Sequence, residues 1–497
     1  MNDVDALWAT ARELTDLDQV ISVLSWDEET YLPEAARPQR GRQSGTLETI
    51  RHQRTTDAAF GALLERLAAR TDLDPTARAL TARLARRRAL AVRVPERLVR
   101  AIAEARARAL AAWIEARREG RFAGFAKPLG ELVGLARERA SALAGPGASP
   151  YDALVDEYEP GMSAARLTPL FATLRAGLLE ILDRLRGGTP PDARRFRQAF
   201  SLDAQWSLSL EVLRLVGFDL ERGRLDRSAH PFSSGHGEAD VRLTTRLVED
   251  DPLSALYSTI HEAGHGMYEQ GWSAEHSGTP LASSPSFGLH ESQSRLWENQ
   301  VGRSRAFWTA LLPRAKALFP AQLEGATVDE VYRAVNVVEP GLVRTEADEV
   351  TYNLHIILRF ELEAALFSGA LSVDALPEAW NEKMRALLGV VPDGDRLGCL
   401  QDIHWASAAF GYFPSYTVGN LYAASLMAAY RAQDPGFDAA CARGELGGLL
   451  AWLRREVHAR GYLEEAEDTV RRATGQGLSV EPLLAALRAK YFEVYRV

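Results

Sequence analysis

The chain has 497 residues, of which 46% are hydrophobic and 25% are charged, a composition typical of a globular protein with a large core. Lys and Arg total 58 against 67 Asp and Glu, and the resulting formal charge of −9 argues against a dedicated nucleic-acid-binding protein. The two cysteines, Cys399 and Cys441, are too few for a disulfide framework.

The N-terminal residues lack the basic start and apolar core of a signal peptide, and no run of eighteen apolar residues is present. We therefore expect a cytoplasmic protein without a membrane span. Residues 63–144 predict several helices, because apolar residues recur three and four positions apart. Gly/Pro-rich breaks follow at Gly145–Pro150 and Gly187–Pro191, and the second is a candidate boundary between two regions.

The residues from 217 to 251 resist a helical interpretation. Within them Asp240–Thr244 alternates, with apolar side chains on one side and Arg242 and Thr244 on the other, which predicts a short strand. We expect this strand to lie at a sheet edge with a free polar face. The helical pattern resumes at about Pro252 and continues nearly to the C-terminus.

Eight of the ten histidines fall between residues 230 and 404, and two of them form the motif His261-Glu-Ala-Gly-His265. On a helix both imidazoles lie on one face and can bind one ion, while Glu262 can reach a water without being a ligand. Gly264 and Gly266 each cost a helix interior about 1 kcal/mol, so we expect another element to approach this backbone closely. The alternative is a solvent-facing histidine pair.

A catalytic zinc needs a third protein ligand. Glu291 lies 26 residues past His265, far enough for a loop and a return helix, and it is the favoured candidate. Glu269, Glu275 and Glu298 remain rivals. Two histidines, a carboxylate and an adjacent glutamate predict metal-assisted hydrolysis, usually of a peptide, in which Glu262 takes a proton from the attacking water and delivers it to the leaving amine. Cobalt would fit the same donors.

These residues and their order resemble the carboxypeptidase Taq family, zinc metallocarboxypeptidases of the gluzincin group. The resemblance covers essentially the whole chain, from Trp26–Pro33 through Tyr158–Met162 to Trp405. Six motifs by which the family is recognised are intact: His230–Phe232, Asp240–Thr244, His261–His265, His290–Gln293, Val343–Asp348 and Gly398–Trp405.

The resemblance implies that His261, His265 and Glu291 bind one Zn²⁺ per chain, with Co²⁺ as a substitute, and that Glu262 is the general base and acid. It also implies that Arg344 binds the terminal carboxylate of the substrate, a role that suits the guanidinium fork. The alternative for Arg344 is an i,i+4 pair with Asp348 on a helix, and Asp348 could also orient the arginine or a ligand histidine.

His404 and Tyr416 resemble the pair that stabilises the oxyanion in related enzymes, and their spacing of twelve residues favours Tyr416 over Tyr412. A buried core tyrosine is the alternative. His230 and Arg242 match motifs thought to close the far end of the groove, although the first motif is also typical of a packed turn. His290 is expected beside the metal ligands without binding the ion. Gln401, Asp402 and Trp405 of the last motif could support the site or merely pack.

The implied fold is a mostly α, single large domain over residues 1–497, with a small β-sheet beside a deep groove. Helices of about residues 1–190 cover the groove, and the metal-binding region spans about 191–497. The family forms homodimers. The implied activity is the release of C-terminal amino acids, with broad specificity, from peptides that have a free C-terminus.

Two alternatives stay open. One is an oligopeptidase or endopeptidase that uses the same zinc. The other is a non-catalytic helical scaffold that binds nucleic acid through residues 76–122, which hold 13 arginines against 4 glutamates. Because this segment lacks interleaved aromatic residues for base stacking, we expect no nucleic-acid partner.

Overall fold

Helix accounts for 67% of the protein, which confirms the predicted mostly α fold with a small sheet. The structure is a computed structural model that describes residues 2–145 and 149–497, so the middle of the Gly145–Pro150 break lies outside the described residues. Within that description, no helix is both long enough and apolar enough to span a membrane.

The N-terminal helices form a unit with its own small core. Leu7 and Leu14 of the first helix pack with Leu67 and Leu80, and Leu281 from much later in the chain completes this cluster. The unit therefore rests directly on the remainder of the protein. Its helices are α1 (Asp3–Thr30), α2 (Arg37–Thr56), α3 (Ala58–Ala68) and α4 (Pro75–Arg93).

The main hydrophobic core is continuous from Ala105 to Tyr495 and passes across the Gly187–Pro191 break. That break is a loop held to the C-terminal helix, because the Thr189 amide donates to the Tyr495 carbonyl at 2.7 Å. The helices that precede the sheet are α5 (Glu96–Glu119), α6 (Ala123–Leu143), α7 (Pro150–Tyr158), α8 (Ala164–Leu185) and α9 (Leu202–Val216).

The sheet has three strands, β1 (Gly223–Arg227), β2 (Ser233–Gly235) and β3 (Val241–Thr245). The predicted edge position of β3 is wrong, because β3 is central: it pairs in parallel with β1 and antiparallel with β2. The predicted free polar face is also wrong at Thr244, which is fully buried and accepts a hydrogen bond from the Phe232 amide at 2.9 Å. Half-burial of a strand produces the same alternation at an edge or in the centre.

Three helices meet in the region that carries the predicted metal-binding motif: α10 (Pro252–Glu269), α11 (Phe287–Arg295) and α16 (Pro414–Gln433). α10 begins at Pro252, as predicted, and α11 continues into a π-helical segment, Leu296–Gly302. The other helices are α12 (Arg305–Leu318), α13 (Val328–Ala334), α14 (Tyr352–Ser368), α15 (Leu376–Leu388), α17 (Phe437–Ala442), α18 (Gly447–Glu456), α19 (Ala466–Thr474) and α20 (Glu481–Tyr495).

Candidate metal centre and active site

The predicted metal-binding motif lies on α10. The Asp251 side chain caps this helix by accepting from the Ser254 amide at 3.1 Å, and Pro252 occupies its first turn. His261 and His265 face the same side, with ring centroids 5.0 Å apart. The local sequence therefore sets the start of the helix and the common direction of both imidazoles.

The predicted close approach to the glycines of α10 is confirmed. A Cβ atom at Gly264 would lie 2.6 Å from the Gln293 carbonyl oxygen and 2.6 Å from the Ser294 Cα, both in the backbone of α11. A Cβ at Gly266 would instead meet the Phe218 ring at 2.7 Å. Gly264 thus allows α11 to pack against α10 so closely that Glu291 reaches the two histidines.

The structure brings the three predicted donors together. Glu291 Oε2 lies 3.6 Å from His261 Nε2 and 3.4 Å from His265 Nε2, and the three donor atoms lie within 4.8 Å of one another. A tetrahedral ion bound at about 2.0–2.1 Å separates its ligand atoms by about 3.3–3.4 Å. The donor set and its spacing therefore fit a zinc-type ion.

Both imidazoles have their second nitrogen engaged. His265 Nδ1 lies 3.1 Å from the His290 carbonyl oxygen, which can only accept, so Nδ1 carries the proton and Nε2 is free to bind a metal. His261 Nδ1 lies 2.9 Å from Glu298 Oε2, which imposes the same tautomer. Glu298, one of the rival candidates for the third ligand, therefore contacts the Nδ1 atom of His261 and does not lie among the three donors.

The remaining rivals also lie elsewhere. Glu269 Oε1 is 2.9 Å from His290 Nε2, and the His290 ring stacks on His265 at 4.4 Å, beside the donors as expected. Glu275 is exposed. The sequence reasoning missed Arg295, whose Nε donates to Glu291 Oε1 at 2.7 Å. Its i,i+4 spacing from Glu291 was the available signal.

Glu262, the residue after His261, is 7% exposed. Burial raises its pKa to about 7, because removal from water disfavours the carboxylate. A carboxyl group with a pKa near neutrality can both take up and release a proton at physiological pH, which suits a general base that later acts as an acid.

Arg344 is 6% exposed and its guanidinium is held on two sides. Nε and Nη2 donate to Asp402 Oδ1 at 3.0 and 2.8 Å, and Nη1 donates to the Tyr352 hydroxyl at 3.1 Å. The alternative helical pair with Asp348 is wrong. Arg344 lies in a 3₁₀ turn, Arg344–Glu346, and Asp348 instead accepts from backbone amides at the start of α14.

Asp402 orients Arg344. On the basis of the sequence, this role had been considered for Asp348. The second oxygen of Asp402 accepts from Arg359 Nε at 2.7 Å, so the carboxylate bridges two buried guanidinium groups. Burial alone would raise the pKa of Asp402, but Arg344 and Arg359 hold it far below its usual range. The carboxylate stays charged and fixes the position of Arg344.

His404 Nε2 lies 3.3 Å from the Tyr416 hydroxyl. Burial lowers the pKa of His404 to about 4, so the imidazole is neutral near pH 7. The Tyr416 ring lies 5.0 Å from the Arg344 guanidinium carbon, which joins this pair to the arginine. Tyr412 packs against the same histidine at 5.4 Å between centroids, and also against Tyr158 at 4.9 Å.

His230 and Arg242 lie at the sheet. His230 is exposed in the turn between β1 and β2, where its carbonyl accepts from the Ser228 hydroxyl at 2.6 Å. Arg242 donates to Asp240 at 2.8–2.9 Å and lies 4.4 Å from the Trp26 ring of α1. The contact between Arg242 and Trp26 attaches α1 to the sheet. Within the described part of the chain, no hydrogen bond or ion pair joins His230 or Arg242 to the donor cluster.

The similarity to known proteins extends along the whole chain. The profile of the family described as Carboxypeptidase Taq (M32) metallopeptidase matches residues 6–491. Thermostable carboxypeptidase 1 of Thermus thermophilus is 44% identical over 498 residues, and carboxypeptidase 1 of Bacillus subtilis is 36% identical over 486, each with 97% of both chains covered. The crystal structure of the M32 carboxypeptidase from Deinococcus radiodurans R1 matches with a TM-score of 0.97 at 40% identity, covering 100% of both chains.

Proposed function

The chain belongs to the carboxypeptidase Taq (M32) metallopeptidase family and is a metallocarboxypeptidase, and from this premise we propose which of its residues perform the reaction. The observation that carries the proposal is the cluster of His261, His265 and Glu291 donors beside Glu262. The ion that we propose is zinc, one per chain, because two imidazoles and one carboxylate at tetrahedral spacing suit it, and Co²⁺ can replace it.

The bound ion would act as a Lewis acid that polarises the scissile carbonyl and activates a water. Glu262 accepts a proton from the attacking water and then delivers it to the leaving amine. Its burial supports this role, since removal from water raises the pKa of the carboxyl group and makes the carboxylate a stronger base. His261 and His265 present Nε2 because Glu298 and the His290 carbonyl occupy their other nitrogens.

Arg344 binds the terminal carboxylate of the peptide and so restricts cleavage to the last peptide bond. This role is supported by the buried, always charged guanidinium of Arg344, which Asp402 and Tyr352 hold in place. Tyr416 and His404 stabilise the negative charge that develops on the carbonyl oxygen, since they form a hydrogen-bonded pair beside Arg344. The twelve-residue spacing from His404 favours Tyr416 over Tyr412 for this role.

His230 and Arg242 limit the far end of the groove, as the sequence resemblance implies. Arg242 supports this assignment through its contact with Trp26, which ties the covering helix α1 to the sheet. We also propose a single peptidase domain, a homodimeric assembly, broad side-chain tolerance and a cytoplasmic location. Peptides with a free C-terminus are the substrates, and nucleic acids and membranes are not partners.

Paired peptides test the exopeptidase assignment. One has a free C-terminal carboxylate and the other is its C-terminal amide. We expect release of the last residue from the free acid alone, and Arg344→Gln to lower kcat/KM for it by about 30-fold or more, because a buried charge contact is lost. Equal cleavage of both peptides by the wild-type enzyme would contradict the assignment and favour an endopeptidase.

A further inference from the structure

A cavity of about 550 Å³ lies between α4 and the segment that leads into α11. This volume falls within the range of binding sites for small ligands and side chains. Three arginines of α4 line the cavity together with three aromatic rings, one of which, Tyr462, lies 4.0 Å from the Arg83 guanidinium carbon. The residues that define the cavity are Arg83, Arg86, Arg87, Tyr158, Phe287 and Tyr462.

The cavity and the carboxylate-binding arginine lie toward opposite ends of α11. Phe287 in its first turn lines the cavity, whereas Arg295 in its last turn stacks on Tyr352, the residue that holds Arg344. Glu291 lies between them, and eight residues of helix span about 12 Å. A peptide with its C-terminal carboxylate at Arg344 and its scissile carbonyl at the donors therefore points its upstream residues toward the cavity.

Three guanidinium groups line the cavity, and each is paired with a carboxylate. The carboxylates that pair with its three arginines, Asp18, Asp156 and Glu465, do not line the cavity. Glu157 does line it, but both of its oxygens accept from Arg139 at 2.5–2.6 Å.

Arg86 and Arg87 each have side-chain N–H groups that donate to no protein acceptor among the described residues. Among the described residues, Arg86 donates through Nη2 alone, and Arg87 uses its two Nη atoms on Asp18. In the part of the chain that the structure describes, the Nη1 and Nε atoms of Arg86 and the Nε of Arg87 therefore have no protein acceptor.

We propose that this cavity is a specificity subsite for a substrate residue upstream of the scissile bond, and that Arg86 and Arg87 select an acidic side chain there. The aromatic rings contact the aliphatic part of that side chain, and the guanidinium groups contact its carboxylate. The inference rests on the proposed function, since it takes the orientation of the peptide from Arg344. Because the two arginines are about one-third exposed, we expect a preference of about 3- to 10-fold.

The test uses short peptides that share one C-terminal sequence and differ only by Glu or Gln at successive upstream positions. Release of the C-terminal residue gives kcat/KM for each peptide with the wild-type enzyme. We expect one position at which Glu exceeds Gln by about 3- to 10-fold, with the ratio falling as NaCl rises from about 0.05 to 0.5 M. Equal rates at every position would overturn the proposal.

Variants connect the preference to the cavity. Arg87→Gln leaves Asp18 paired with Arg51. The single variants Arg86→Gln and Arg87→Gln should each lower the Glu/Gln ratio, and the double variant should bring it close to one. The control Arg78→Gln removes one positive charge, as each single cavity variant does, from an exposed position of α4 and should keep the ratio. A ratio unchanged in both cavity variants would overturn the proposal. No release from any peptide would instead reject the proposed function itself.

Discussion

His261 Nδ1 lies 2.9 Å from Glu298 Oε2, a contact between residues 37 positions apart that leaves Nε2 of the histidine 3.6 Å from Glu291 Oε2 at the proposed metal site. Glu298 is also held by Arg295 Nη1 and Arg303 Nη2, each at 3.3 Å. It lies on the π-helical segment that continues α11, an irregularity frequent at functional sites. The carboxylate therefore fixes both the tautomer and the orientation of a proposed metal donor.

Glu298→Gln should weaken metal binding by about 10- to 100-fold, because the amide is a poorer partner for the imidazole N–H than a carboxylate is. Competition with a chelator of known affinity measures the change. Glu363→Gln is the matched control, since this buried carboxyl group accepts from Trp405 and Tyr151, away from the donors. Equal losses in both variants would show that the effect of Glu298 is a general consequence of altering a buried charge.

Tyr416→Phe should lower kcat by about 100-fold or more, the usual result of losing one donor to a developing oxyanion, while KM changes little. Tyr412→Phe removes a hydroxyl from the neighbouring ring and should cost much less. Steady-state kinetics on one free-acid peptide compares the two. If Tyr412→Phe caused the larger loss of kcat, the assignment of the oxyanion donor would have to be exchanged.

Gly264→Ala should destabilise the protein by about 1–3 kcal/mol, because the added methyl group would overlap backbone atoms of α11 that cannot rotate away. The displaced α11 should also carry Glu291 away from the histidines and reduce metal content. Urea unfolding and metal analysis measure both effects. Gly134→Ala in α6, where a Cβ meets no atom within 4 Å, should be neutral or slightly stabilising.

Two buried histidines predict sensitivity to acid. His355 and His458 are 0% exposed, and burial lowers the pKa of each to about 3. In the unfolded chain the pKa is about 6.5. Below that pH the unfolded state binds more protons, so the free energy of unfolding falls by up to about 1.4 kcal/mol per pH unit for each histidine as pH drops from 6.5 toward 3.

The replacement His458→Gln removes one of these titrations while keeping a side-chain amide that can donate to Gln293. Urea unfolding between about pH 7 and 5, with a chelator present to remove metal effects, should show a shallower decline for the variant. Comparison with the wild type cancels the contribution of other titrating groups. Parallel declines in the two proteins would contradict a neutral His458 in the folded state.

Local pattern predicts the parts of the site that depend on one element. The start of α10 at Pro252, the common face of His261 and His265 and the tight packing at Gly264 all follow from spacing and residue type. The central position of β3 does not, because alternation reports which face is buried and not how many partners a strand has.

The features of the site that could not be predicted from the sequence depend on contacts between distant segments. The sequence marked Asp402 as a residue that could support the site or merely pack. Because it lies 58 residues from Arg344, no helical spacing could indicate that it, rather than Asp348, holds the arginine. Glu298 remained a rival ligand because α-helical spacing does not apply within a π-helical segment. The loop between α10 and α11 and the direction of α11 place Glu291 among the donors.

The most direct test of the account combines metal content and activity in Glu262→Gln. We predict about one metal ion per chain, as in the wild type, together with a fall in kcat of about 100- to 10,000-fold, because His261, His265 and Glu291 hold the ion and Glu262 moves the proton. Glu291→Gln should lose metal as well as activity. A Glu262→Gln enzyme that keeps full activity, or that no longer binds metal, would contradict the account.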